Sequence, residues 1–104
     1  MPDPGLNELR LDARVAELLP LRRTPAGVPV ASCVLAHESK QTEAGLARDV
    51  SVEMQAVAVG DLAGVLAAAK PGAAVRISGF LAARSLRSRS PVLHLNTIEY
   101  LEGN

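Results

Sequence analysis

The chain has 104 residues, of which 48% are apolar and 21% charged, enough for one globular domain and too few for two. Eleven Lys and Arg balance eleven Asp and Glu, and the only aromatic residues are Phe80 and Tyr100. Taken alone, that balance and that scarcity argue against a nucleic-acid binder, while the single cysteine, Cys33, excludes an internal disulfide and fits a reducing compartment.

From Asn7 to Val15, Leu9, Leu11, Ala13 and Val15 alternate with Arg10, Asp12 and Arg14. This period of two predicts a half-buried first strand, which Glu17 to Leu19 can extend before Pro20 stops the ladder. A loop follows to Pro29, and its Pro25-Ala26-Gly27 segment predicts a type II turn. Val30 to Glu38 reads as a second strand, apolar on both sides. The polar stretch from Glu38 to Asp49 reads as a loop or a flexible hairpin tip. Alternation returns from Val50 to Val59, predicting a third strand that Gly60 ends. The period then changes. Asp61 is placed to cap a short helix over Leu62 to Ala69, with Leu62, Val65 and Leu66 as one apolar stripe and Pro71-Gly72 closing it. A fourth strand is predicted from Ala73 or Ala74 to Ala83, with Gly79 marking a bend or bulge. A basic loop, Arg84 to Pro91, leads into a fifth strand from Val92 to Leu101.

Five short strands, a glycine for curvature and one helix between the third and fourth strands describe an all-β OB-fold, a five-stranded Greek-key barrel. Residues 1–104 are expected to form this single domain, with residues 1–5 a flexible N-terminus. Alanine and valine suit the narrow interior.

The zero net charge hides an asymmetry. From Leu62 to Ile98 there is no acidic residue, yet Lys70, Arg76, Arg84, Arg87 and Arg89 lie there. Nine of the eleven basic residues are arginine, whose planar fork suits phosphate. In an OB-fold the loop between strands four and five and the loop between strands one and two flank the oligonucleotide groove. Arg22 and Arg23 stand in the first of these loops in chain order, and Arg84, Arg87 and Arg89 in the second. Two basic loops at one groove predict a channel that tracks a nucleic-acid backbone. Phe80 is the candidate stacking platform, and Tyr100 is expected at the barrel closure or an interface.

The segments Asn7-x-Leu9-x-Leu11, Pro20-Leu21-Arg22, Thr24 to Val30 and Leu35 to Ser39 resemble the bacterial single-stranded-DNA-binding protein superfamily. Gln41-x-Glu43-Ala44-Gly45-Leu46-x-Arg48, Val75-x-Ile77-x-Gly79-Phe80-Leu81 and Leu93-His94-x-x-x-Ile98-Glu99 narrow the resemblance to the primosomal replication protein N (PriB) family. It implies a homodimer of OB-folds that binds single-stranded DNA and bridges the restart helicase PriA to later primosome components. It also implies DNA contacts at Arg23, Arg48, Arg84, Arg87 and Arg89. Glu38 stands where some relatives carry a basic residue, and Leu46 and the region of Ser51 lack aromatics that relatives carry. These departures predict weaker DNA affinity. They also motivate a second reading, a protein-interaction adaptor whose surface mainly binds the helicase.

Other chemistries find little support. No Gly-rich phosphate loop is present, and one Cys with two distant His gives no metal-ligand spacing, so no cofactor or metal is expected. Cys33 and His37 could form a nucleophile–base pair, but both fall in a strand pattern without a third orienting group, and no enzyme is expected. The N-terminus lacks the basic and apolar regions of a secretory leader, and Leu62 to Ala69 is too short to cross a bilayer. A cytoplasmic protein is therefore expected.

Overall fold

The computed structural model describes residues 4–101, so the expected flexibility of residues 1–3 lies outside the described residues. Six strands and one helix follow one another: β1 (Leu9–Leu18), β2 (Arg22–Arg23), β3 (Pro29–Glu43), β4 (Leu46–Val59), α1 (Asp61–Ala67), β5 (Ala74–Ala83) and β6 (Pro91–Tyr100). Five of the strands close a barrel. β1 pairs antiparallel with both β3 and β5, β5 pairs with β6, and β6 runs parallel to β4, which pairs with β3. This is the expected OB-fold, closed by the short parallel contact of Ala56 with Leu93 and Val57 with His94.

Alternating burial in β1, β3, β5 and β6 sorts side chains into a core and an outer face. Val15, Ala31, Cys33, Leu35, Ala58, Val75, Ile77 and Leu93 fill the interior. Ala31 and Ala58 face each other across β3 and β4 and are fully buried, which is how small side chains let the barrel walls approach. β1 changes partner along its length, pairing with β5 from Leu9 to Arg14 and with β3 from Arg14 to Leu18, with an irregularity between Val15 and Glu17. Ahead of β1, Asn7 takes the place of a strand residue with its side chain: Nδ2 donates to the Leu81 carbonyl at 2.7 Å, and the Leu81 amide donates to Oδ1 at 2.9 Å.

Four expectations need correction. The polar stretch from Glu38 to Asp49 is neither a loop nor a flexible tip but the outer part of a long β3–β4 hairpin, paired in continuous register from Val30–Val59 to Glu43–Leu46. Ala44 (φ 53°) and Gly45 (φ 78°) form its two-residue turn, with both φ values positive as a type I′ hairpin requires. Because β1 and β6 reach only the inner parts of β3 and β4, the ribbon projects with both faces wet, and its sequence carries no apolar alternation. The ion pairs Lys40–Asp49 and Arg48–Glu43 cross it.

The second correction concerns Arg22 and Arg23. They form a short strand against Val30 and Pro29, and the turn joining them is not type II. The Gly27 amide donates to the Thr24 carbonyl at 2.8 Å, so Pro25 and Ala26 are the central residues and Gly27, with φ 86°, follows them. That is a type I turn closed by a left-handed glycine.

Third, Gly60 rather than Asp61 caps α1. Asp61 lies in the first turn, with no side-chain capping bond, and the helix ends at Ala67, short of Ala69. Fourth, the buried helix face is Ala63 and Leu66. Leu62 is half-buried, and Val65 points outward, 41% exposed. Alanine at 63 permits the close approach to the sheet, and the Tyr100 hydroxyl holds the helix by donating to the Val65 carbonyl at 2.6 Å. Tyr100 thus joins β6 to α1, and burial raises the pKa of its phenol, with the nearby Cys33 sulfur adding to the shift.

Candidate nucleic-acid interface

The outward residues of β3, β4 and β6 form a groove of about 520 Å³. Its floor includes Val34, Val57, Ser32, Gln55 and His94, and Arg22 and Arg84 both line it. Each arginine is exposed and belongs to a different loop region. Arg22 is carried by β2, which the tight Thr24–Gly27 turn folds back against β3. Arg84 directly follows β5, where its amide donates to the Ser90 carbonyl and fixes the neck of the last loop. Among the described residues no carboxylate lines the groove.

Phe80 faces outward beside it. Gly79 shifts the register between β5 and β6 and brings Phe80 opposite His94. The two rings stack with centroids 5.0 Å apart and planes 8° from parallel. Phe80 remains 39% exposed, so an aromatic surface is open to a ligand. His94 and the polar floor residues Ser32 and Gln55 join the site in addition to the residues expected from the sequence. Their signal was available in the alternation of β3, β4 and β6, which places them opposite the core-facing Cys33, Ala56 and Leu93.

The remaining sequence-predicted arginines lie elsewhere. The Arg23 guanidinium donates to the Gly27 carbonyl at 2.9 Å and so braces its own turn. Arg48 stands on the projecting ribbon, paired with Glu43. Arg87 and Arg89 are exposed in the loop after β5 and do not line the groove. Within that loop the Ser85 amide donates to the Ser88 carbonyl and the Ser88 amide to Ser85 Oγ, which closes a compact turn. Glu38 is also away from the groove, in a separate shallow depression with Asp12, Arg14 and Ala74.

Cys33 and His37 do not act on each other. Cys33 is buried in the core, and burial pushes its thiol up to about 11. His37 Nδ1 lies 2.6 Å from the Asp12 carbonyl, which can only accept, so that nitrogen carries the proton, and Nε2 meets Ser39 Oγ at 2.8 Å. Among the described residues no group of three or more His, Cys, Asp or Glu is arranged to hold a metal ion, and no helix is long and apolar enough to cross a membrane.

A family model described as another single-strand binding protein family matches residues 7–97. Replication restart protein PriB of Bordetella pertussis is 41% identical over 99 residues, covering 95% of this chain and 92% of that protein. Among solved structures, PriB of Ralstonia solanacearum superposes with a TM-score of 0.84 at 35% identity, covering 94% of this chain and all of the other. The single-stranded DNA binding protein of Thermus aquaticus superposes with a TM-score of 0.80 at 22% identity, covering 96% of this chain and 52% of the other, a likeness of fold. The closed barrel, its arginine-lined groove and these relatives agree, and the chain belongs to the PriB family of single-strand-binding proteins.

Proposed function

We propose that this protein is a non-catalytic accessory factor of the replication-restart primosome that binds single-stranded DNA in the groove between Arg22 and Arg84. The convergence of those two arginines on a groove that no carboxylate lines among the described residues carries the reading, because a phosphate backbone needs spaced cations and no opposing charge. Phe80, stacked on His94, offers an exposed aromatic face for a base. Arg87 and Arg89 extend the positive rim from the adjoining loop. Arg23 and Arg48, each engaged within its own segment, contribute charge at longer range. The protein acts in the cytoplasm as a homodimer and bridges or stimulates the PriA helicase, as its family membership suggests.

The test is anisotropy of a labelled dT oligonucleotide, with a duplex of equal length for comparison, across a salt series. Single-strand preference and a log–log affinity that falls with salt are expected, and a flat salt response overturns the DNA role.

A second reading draws on the groove floor. Val34, Val57, Val59 and Val92 are aliphatic, better suited to an apolar side chain than to a base. In that adaptor reading the surface mainly binds the helicase. An Arg84/Arg87/Arg89→Ala variant separates the two. Loss of helicase stimulation with helicase binding intact supports DNA binding, and joint loss of both supports the adaptor.

A further inference from the structure

We propose that His94 takes up a proton when single-stranded DNA occupies the groove, making this side chain a pH-gated phosphate contact. The inference rests on the groove being the DNA site and adds to it a regulating residue. The chain has two histidines. Both ring nitrogens of His37 are engaged within the fold. The ring of His94 makes no hydrogen bond among the described residues and is held by its stack on Phe80. Its nitrogens are therefore open to a ligand, half-buried on the floor of a groove.

Its surroundings set the direction of the effect. Arg22 of β2 and Arg84 after β5 line the same groove, Cys33 of β3 lies at its base, and β4 contributes the uncharged Gln55 and Val57. A phosphate in the groove brings negative charge to the ring and supplies an acceptor for an imidazolium N–H. The parallel Phe80 ring presents its π-face to the new cation and favours it further. The DNA-bound state then holds more protons than the free state, so affinity rises as pH falls.

Anisotropy of a rhodamine-labelled dT oligonucleotide at pH 6 and pH 8 reads this directly, since thymine does not titrate in that window. For the unmodified protein the Kd is expected to be about fivefold lower at pH 6. The salt slope is expected to be steeper there by about 0.7, one further phosphate contact. His94→Gln and His94→Phe, the latter keeping a flat ring over Phe80, should both bind without this pH dependence. As a second measurement, the imidazole NMR signal of His94 at pH 7 should move toward the protonated position when the oligonucleotide is added, with His37 as internal control. This decides the matter even if the variants fail to fold. Binding that is independent of pH, a dependence that survives both variants, or an unmoved His94 signal overturns the proposal and leaves the DNA site standing. Absence of binding at both pH values overturns both.

Discussion

Gly79 lies so close to His94 across the β5–β6 pair that a Cβ at position 79 would stand 2.0 Å from the His94 carbonyl oxygen. The obstacle is backbone, so no side-chain movement relieves it. The same residue shifts the β5–β6 register and turns Phe80 outward onto the His94 ring. Gly79→Ala should therefore destabilise the fold by about 2–3 kcal/mol. Thermal unfolding would show a melting temperature lower by roughly 10 °C or more for a domain of this size. An unchanged melting temperature would mean that the strands separate more easily than the packing indicates.

The projecting hairpin makes a different kind of prediction. Ala44 holds φ 53° at a turn position where asparagine is favoured and alanine is strained. Ala44→Asn should stabilise the ribbon by about 0.5–1 kcal/mol. The ribbon is paired to the barrel only near its base, so the gain is local. Amide exchange from Ser39 to Asp49 should slow several-fold while the melting temperature of the barrel hardly moves. Unprotected amides throughout this segment would contradict the continuous pairing.

Arg76 grips Asp12 across β1 and β5, its Nε and Nη2 donating to the two carboxylate oxygens at 2.8 and 3.0 Å. The hydrogen bond from Arg76 is the main cause holding the Asp12 carboxyl below its usual value of 3.8, and the charges of Arg76 and His37 act the same way against the opposing effect of burial. A carboxyl lowered in the folded state stabilises the fold above its unfolded value, and the contribution is lost as pH falls through the folded value. Both side chains are half exposed, so the effect is modest. Melting temperatures of the unmodified protein and Asp12→Asn should differ by a constant amount well above pH 3.8 and converge as the pH falls below it through the lowered folded value. A gap that persists in acid would show that the ion pair is not its source.

Much of the barrel was legible in the sequence because its strands each bury one face. The alternation at Leu9–Val15 and Val75–Ile77 follows from that burial, and Gly79 announced the bulge. The ribbon from Ser39 to Asp49 was not legible because neither face is buried, so nothing in its pattern distinguishes a strand from a polar loop. The helix face departs from the expected stripe for a related reason. Leu62, Val65 and Leu66 have the right spacing, but the sheet selects Ala63, whose small side chain permits close approach. Of the site, the basic loops were visible as charge. Which arginines share the groove was not, because Arg22 and Arg84 meet only when β2 folds back on β3 and the barrel closes. The turn that brings Arg22 there occupies Arg23, and no local pattern distinguishes the two neighbours.

The measurement that bears most directly on the central claim is the salt dependence of dT binding for an Arg22→Ala/Arg84→Ala double variant, with circular dichroism confirming the fold. Removing one phosphate contact lowers the log–log slope by about 0.7 for a single strand. The double variant is therefore predicted to show a slope shallower by about 1.4, together with weaker affinity at low salt. A double variant that binds with the affinity and slope of the unmodified protein would place the DNA elsewhere on the molecule.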